Sequence, residues 1–147
     1  MLTIEPTTDI AIVRELFLEY AGSLNVSLCF QNFDHELATL PGDYDPILLA
    51  KWEGRVAGCV ALHPYGDDAC EMKRLFVRPE FRAYGIGRSL THRVIDEAKQ
   101  RGYQRLLLDT LPSMQAAIGL YRSLGFTEID PYRVNPVDGA RYMQLQL

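Results

Sequence analysis

Residues 82–88 of the chain, Arg-Ala-Tyr-Gly-Ile-Gly-Arg, have the composition of a turn that binds a phosphate group. The mostly apolar residues 72–77 before it predict a buried strand, which Pro79 ends because proline cannot extend a β-ladder. The apolar side chains after it recur at helical spacing: Leu90, Val94, Ile95 and Ala98. The first N–H groups of a helix lack acceptors within the helix and carry partial positive charge. The stretch therefore predicts a site for a pyrophosphate group at the start of a helix.

Two glycines in this turn allow close approach to the main chain. Gly85 and Gly87 lack a Cβ atom, so a bulky phosphate can reach the backbone amides, and Arg82 and Arg88 are candidates for the countercharge. Two widespread phosphate motifs are excluded, since position 90 is not glycine and no Gly-Lys-Ser/Thr sequence follows. A tight loop without a ligand is the alternative interpretation.

The wider sequence carries a family resemblance. Residues 75–79, Leu-Phe-Val-Arg-Pro, followed by the Arg82-x-x-Gly85-x-Gly87 pattern, resemble the acetyl-CoA-binding motif of the GNAT superfamily of N-acetyltransferases. A second match, in the same order as in the family, is the motif Ala116-Ala117-x-x-Leu120-Tyr121-x-x-Leu124-Gly125-Phe126. The resemblance implies transfer of an acetyl group from acetyl-CoA, as co-substrate, directly to a primary amine without an acyl-enzyme.

The resemblance also assigns the cofactor-binding residues. The backbone of the strand would hydrogen-bond the pantetheine arm like an added strand and polarise the acetyl carbonyl, and the amides of the turn would hold the pyrophosphate. The expected cofactor-binding residues are Leu75, Phe76, Val77, Arg82, Ala83, Tyr84, Gly85, Ile86, Gly87 and Arg88. Met114 stands where family members often have an asparagine that binds pantetheine, so Ser113 or Gln115 is a candidate replacement.

Two catalytic residues are expected from the same resemblance. Tyr121 matches the family's general acid, because a phenol with a pKa of about 10 is protonated at neutral pH. Glu71 matches a glutamate that deprotonates the amine through water, and strand alternation would place it on one face with Lys73 and Leu75. The alternatives are a core aromatic for Tyr121 and a surface glutamate paired with Lys73 for Glu71. Cys70 lacks an adjacent histidine and is expected to be a buried thiol rather than a nucleophile.

The order of apolar patterns predicts an α+β fold with a mixed, largely antiparallel central sheet of six to seven strands and helices on both faces. The strand that ends near position 77 and the strand at 105–109 would form a parallel crossover. The predicted helices are 10–24, 33–40, the helix after the glycine turn and one that starts at 112 or 113. The other predicted strands are 2–5, 47–52, 56–62, 126–129 and 142–147, with a turn at 63–68.

Composition limits the class of protein. At 147 residues, with 48% hydrophobic and 23% charged residues, the chain suits one globular domain, and the resemblance implies that residues 1–147 form a single acetyltransferase domain. A net charge of −4 argues against nucleic-acid binding, and no apolar run is long enough to cross a membrane. The histidines and cysteines are scattered, so no metal site is predicted, and the cysteine pattern suits a cytoplasmic location. The edge strands of the predicted sheet are compatible with a homodimer.

The acceptor is expected to be a small-molecule amine, bound by residues 20–44 and 130–136. Arg133 suggests a carboxylate on that acceptor, and Tyr132 and Asn135 add an aromatic face and an amide. The acidic N-terminal half suggests recognition of its amine, whereas basic residues crowd the central motif. Two alternatives are a non-catalytic acyl-CoA-binding or sensor module and a protein-interaction domain with a basic strip.

Overall fold

The computed structural model of the chain describes residues 1–24, 33–133 and 139–147, and in these residues the strands form one mixed sheet of seven. The strands are β1 (Leu2–Pro6), β2 (Ile47–Trp52), β3 (Arg55–Tyr65), β4 (Ala69–Val77), β5 (Arg105–Thr110), β6 (Thr127–Ile129) and β7 (Arg141–Gln146). They lie in the order β1-β2-β3-β4-β5-β7-β6, with β4 and β5 parallel and the other neighbours antiparallel. The predicted α+β class and the parallel crossover are confirmed.

Helices cover both faces of this sheet, as predicted. They are α1 (Ile10–Ser23), α2 (Phe33–Ala38), α3 (Ile86–Gln100) and α4 (Gln115–Ser123), and a 3₁₀ helix (Pro79–Tyr84) joins β4 to α3. One core lies under α3 and α4 and includes Leu90, Val94 and Tyr121. The other core lies under α1 and α2 and includes Phe17 and Phe33. Burial of these apolar faces against the sheet fixes where the two ends of β4 lie.

Two element boundaries differ from the prediction for identifiable reasons. The predicted turn at 63–65 is part of β3, because Pro64 pairs with β4 while the β2 ladder has already ended at Ala61. A proline that lacks an N–H is tolerated where one side of the strand has no partner. The last helix begins at Gln115 rather than at 112 or 113, since a turn closed by the Met114 N–H to the Leu111 carbonyl (3.0 Å) precedes it.

A β-bulge interrupts β4 at Arg74. Lys73 pairs with Ala61 and Phe76 with Cys59, so two residues of β4 oppose one residue of β3. Arg74 has a φ of 59°, in the left-handed region that side chains other than glycine rarely adopt. The bulge resets the alternation, because Leu75 packs against the α3 and α4 core while Phe76 packs against the α1 core. The prediction that Leu75 shares a face with Glu71 and Lys73 is therefore wrong.

The two parallel strands separate soon after they meet. The β4–β5 ladder joins only residues 69–71 to residues 105–107, and beyond Glu71 the strand β4 pairs with β3 alone. Among the described residues, the edge of β4 that faces β5 thus has no strand partner from Met72 to Val77. We call this divergence of β4 from β5 the fork. It leaves backbone hydrogen-bonding groups of β4 available to another molecule.

Gly58 allows β3 to approach β4 beside the fork, and its replacement tests this packing. A Cβ atom at this position would lie 2.4 Å from the Phe76 carbonyl oxygen. We expect Gly58→Ala to lower the free energy of unfolding by roughly 2–3 kcal/mol, because the backbone of β4 must move. Urea denaturation measures this difference.

Gly119→Ala is the matched control, since a Cβ atom in this α4 position would have no neighbour within 4 Å. This change is expected to raise the free energy of unfolding by about 0.5–1 kcal/mol through helix propensity. Equal effects of the two substitutions would contradict the close approach of the strands.

Candidate active site

The fork opens into a cleft with a volume of about 670 Å³. The end of β4, the first turn of α3, the segment that leads into α4 and the end of α1 line it. Apolar lining comes from Leu75, Val77 and Leu120, among others, and the polar lining includes Arg82 and Arg88. The unpaired edge of β4 and the start of α3 therefore face the same space.

The start of α3 presents hydrogen-bond donors without acceptors in the helix. Its N-cap is Gly85, with a φ of 71° and no side-chain cap, and the first helical bond runs from the Ser89 N–H to the Gly85 carbonyl at 3.1 Å. The amides of Ile86, Gly87 and Arg88 consequently lack helical partners. By contrast, α1 is capped by Asp9, whose side chain accepts from the Ile12 N–H at 3.3 Å. The α3 donors and the helix dipole make this end suitable for an anionic group.

Most of the residues expected to bind the cofactor lie together around this cleft. All of them line it except Ala83 and Tyr84. Tyr84 stacks instead on Trp52, with ring centroids 4.5 Å apart. The Arg82 side chain donates to the Val77 carbonyl at 2.9 Å, which holds it along the strand end. Contact of any of these residues with a cofactor stays a prediction.

The segment before α4 includes Met114, which stands where members of the resembling family often have an asparagine that binds pantetheine. Ser113, Met114 and Gln115 all line the cleft. The Gln115 amide nitrogen donates to the Pro112 carbonyl at 2.5 Å, and the Met114 sulfur accepts from the Thr110 hydroxyl at 3.6 Å. Of the two candidate replacements, Ser113 therefore keeps its hydroxyl free for a ligand within the described residues.

Tyr121 lies on the inner side of α4. Only 6% of it is exposed, and its ring lies 5.7 Å from that of Phe126. Burial raises the pKa of Tyr121 above its ordinary value, and nearby Tyr20, which lines the cleft from the other side, adds a smaller upward contribution. The phenol is therefore protonated at neutral pH, and of the α4 residues Ala117 and Leu120, rather than Tyr121, line the cleft.

Glu71 is buried at the point where the strands separate, with 1% of it exposed. Its Oε2 accepts a hydrogen bond from the Tyr132 hydroxyl at 2.8 Å, and its Oε1 pairs with the Arg133 guanidinium. The His63 Nδ1 lies 3.8 Å from the same Oε1. The alternative of a surface glutamate paired with Lys73 is wrong, since the Lys73 Nζ lies 3.7 Å from Asp109 Oδ1.

These contacts bring one predicted acceptor segment to the fork. Tyr132 and Arg133 both contact Glu71, although 61 and 62 positions separate them from it in the chain. Asn135 and Pro136 of the same segment lie outside the described residues, as do residues 25–32 of the other acceptor region. Sequence reasoning missed Asp109, whose only signal was its place at the end of an apolar strand.

Several basic residues around the motif are already neutralised. Arg74 makes two hydrogen bonds to Glu36, at 2.9 and 2.8 Å. Arg78 binds Glu19 at 3.0 and 2.7 Å and Glu15 at 3.1 Å. The acidic first half of the chain thus pairs with the basic strand end, and the clustered charges do not form an open basic strip.

The sequence model of the acetyltransferase (GNAT) family matches residues 11–126. The chain belongs to the GNAT family of acetyltransferases. A Schizosaccharomyces pombe protein described as an uncharacterised N-acetyltransferase is 40% identical to this GNAT chain, over 95% of the chain and 89% of that protein. Among solved structures, an Elizabethkingia anophelis GNAT acetyltransferase with acetyl-CoA bound has a TM-score of 0.75 at 25% identity, covering 99% of the chain and 98% of that protein.

A ribosomal-protein-alanine N-acetyltransferase from Brucella melitensis has a TM-score of 0.74 at 25% identity, with 99% of each chain covered. These findings confirm the predicted family, and the chain is an acetyl-CoA-dependent N-acetyltransferase. They favour the enzyme over a non-catalytic binding module. No helix of the described segments is long and apolar enough to cross a bilayer, and no group of three metal-ligating side chains is found among the same residues.

Gly87→Leu tests whether the start of this GNAT chain's α3 binds coenzyme A. A Cβ atom at position 87 would meet only the Val77 side chain, at 3.9 Å, so the fold tolerates a side chain that projects beside the cleft. We expect the Kd for coenzyme A, measured by calorimetry, to rise at least about tenfold through loss of phosphate contacts, or about 1.4 kcal/mol.

Gly119→Leu serves as the control, because position 119 is exposed on α4 and a Cβ atom added there would have no neighbour within 4 Å. Its Kd for coenzyme A is expected to match that of the wild type. Unchanged affinity in Gly87→Leu would place the pyrophosphate elsewhere.

Proposed function

We propose that this enzyme, acting as one acetyltransferase domain over residues 1–147, transfers the acetyl group of acetyl-CoA directly to the primary amine of a small molecule at the fork. The observation that carries the proposal is the meeting of the unpaired β4 edge with the uncapped start of α3 in one cleft. The first can bind an extended polar arm and the second an anionic group. Acetyl-CoA has both an extended polar pantetheine arm and an anionic pyrophosphate group.

In this proposal the backbone binds and orients the cofactor. The amides from Gly85 to Arg88 hold the pyrophosphate, and residues 75–77 pair with the pantetheine arm. An N–H group near Leu75 or Phe76 polarises the acetyl carbonyl, which increases its reactivity toward an amine. The open edge of β4 supports this role, because the ladder with β5 ends at Glu71, before the bulge at Arg74.

Tyr121 is proposed as the general acid. The amine nitrogen forms a bond to the acetyl carbon, the carbon–sulfur bond breaks, and the departing thiolate takes a proton from the Tyr121 hydroxyl. Burial raises the pKa of Tyr121, so the phenol carries its proton at neutral pH when the thiolate forms. Within the described residues, no hydrogen bond occupies this hydroxyl in advance.

Glu71 is proposed to accept the proton of the amine through water. A carboxylate has about four lone-pair sites, so hydrogen bonds from Tyr132 and Arg133 leave acceptor capacity. Those two partners also fix its orientation. Since the carboxylate is buried, the amine or a water must enter beside Arg133 for proton transfer to occur.

Tyr121→Phe is expected to lower kcat by about 10²-fold or more, because the thiolate then leaves without a proton donor. The Kd for coenzyme A is expected to stay within about twofold, as the ring and its packing are kept. Thiol release over a panel of amines, followed by kcat determination with the best acceptor, measures the effect. Tyr103→Phe, a partly buried core tyrosine remote from the cleft, is the control. Full turnover in Tyr121→Phe would exclude the acid role.

Glu71→Gln is expected to lower kcat/KM and to remove the rise of kcat/KM with pH that a deprotonated base causes on the acid side of the profile. The amide keeps an oxygen for the Tyr132 hydroxyl but loses the ion pair with Arg133, so the thermal stability of the variant is measured alongside. Glu128→Gln, an exposed glutamate bound to Arg122, is the control and should leave the profile unchanged. A profile identical to that of the wild type in Glu71→Gln would assign Glu71 a purely structural role.

A further inference from the structure

Tyr20, in the last turn of α1, places a phenol on the α1 side of the cleft. Its ring meets the Phe76 ring edge to face, with the ring centroids 6.3 Å apart and the ring planes at 78°. The Arg74 guanidinium lies 5.8 Å from the centre of the same ring. These two contacts anchor the phenol to β4 at the residues on either side of Leu75, which itself lines the cleft.

The hydroxyl of Tyr20 has no hydrogen-bond partner within the described residues. The side chain is half-buried, and its oxygen is not among the buried polar atoms that lack a partner, which are His63 Nδ1 and Arg133 Nε. An oxygen that is neither bonded nor enclosed faces open space, and the cleft is the space that Tyr20 lines. Since a tyrosine hydroxyl in an apolar wall normally finds a partner, this O–H group is available to a ligand.

This phenol is suited to donate a hydrogen bond rather than to act as a base. Burial raises the pKa of Tyr20 above its ordinary value of about 10, and the positive charge of Arg74 only partly opposes the rise. The hydroxyl therefore keeps its proton throughout the neutral range. An O–H group of this kind stabilises negative charge that forms beside it without ionising itself.

The surroundings of Tyr20 relate it to the proposed reaction. Leu75 and Phe76 belong to the backbone stretch proposed to polarise the acetyl carbonyl, and Tyr20 packs on Phe76. Tyr121 is proposed to protonate the sulfur, and it lies near enough for Tyr20 to raise its pKa. A thioester held between the two phenols presents a sulfur and an oxygen. With the sulfur assigned to Tyr121, the carbonyl oxygen is the acceptor that remains for Tyr20.

We propose that Tyr20 is a further catalytic residue, whose hydroxyl donates a hydrogen bond to the acetyl carbonyl oxygen of bound acetyl-CoA. The inference rests on the proposed function and adds a side-chain donor to the backbone donor of β4. When the amine nitrogen bonds to the acetyl carbon, the π electrons of the carbonyl move onto the oxygen, and the Tyr20 O–H stabilises that charge. The electrons return as the carbon–sulfur bond breaks, so Tyr20 begins and ends the reaction protonated.

Infrared difference spectroscopy of bound acetyl-CoA tests this contact without any acceptor amine. The difference between isotope-labelled and unlabelled acetyl carbonyl isolates the carbonyl band of the complex. Because a hydrogen bond lowers the stretching frequency of a carbonyl, we expect Tyr20→Phe to move the band to higher frequency than in the wild type. A fluorinated tyrosine at position 20, whose more acidic phenol is a stronger donor in the same shape, should move the band to lower frequency. A band unchanged by both replacements would overturn the inference.

The kinetics of Tyr20→Phe provide the second measurement. This change keeps the ring that contacts Phe76 and Arg74 and removes only the hydroxyl. With the best amine of the panel, we expect kcat to fall about 10²-fold, as for the loss of one oxyanion donor. The Kd for coenzyme A, which has no acetyl carbonyl, should stay within about twofold. Tyr103→Phe, in the core away from the cleft, is again the control and should keep both kcat and the carbonyl band.

The outcomes separate this inference from the proposed function. Unchanged kcat and carbonyl band in Tyr20→Phe would overturn the role of Tyr20 and leave the small-molecule acetyltransferase standing. A rise in the KM of the amine alone, with the band unchanged, would assign Tyr20 to the acceptor and likewise overturn the inference. Transfer to no amine of the panel would overturn the proposed function, whereas the carbonyl band would still decide whether Tyr20 contacts the acetyl group.

Discussion

The separation of β4 from β5 after Glu71 is the constraint on which the other features of the site depend. A strand in the middle of a sheet normally has both edges paired, whereas β4 continues to Val77 with one edge open. The bulge at Arg74 turns the strand, and Gly58 allows β3 to follow the turn at close range. Because α3 starts just beyond, open backbone groups of a strand and of a helix lie around one cleft.

Buried ion pairs hold this irregular region in place. A positive φ at a residue other than glycine costs of the order of 1–3 kcal/mol of folding free energy. Such a conformation persists only when contacts with the surrounding structure hold it in place. The two-point contact from Arg74 to Glu36 has this role, since it ties the bulge to α2. Arg78, one residue past β4, is bound by Glu15 and Glu19 of α1 in the same way. Part of the charge asymmetry between the two halves of the chain is thus neutralised within the fold.

The sequence predicted the regular parts of this architecture and missed the irregular ones. Periodicity and the two glycine-containing motifs placed the strands, the crossover and the Gly85 turn, because these depend on local patterns. No glycine or proline marks the bulge at Arg74, so strict alternation assigned Leu75 to the wrong face. The contacts of Glu71 with Tyr132 and Arg133 join residues some 60 positions apart, and no local pattern encodes such pairs.

The stack of Tyr84 on Trp52 links two parts of the chain that are distant in sequence. Trp52 is the single tryptophan of the protein, and its ring lies against the residue that precedes Gly85. Indole emission depends on its immediate surroundings. The enzyme therefore carries an intrinsic optical reporter for rearrangement of this turn, which makes stopped-flow observation of ligand entry feasible without any attached dye.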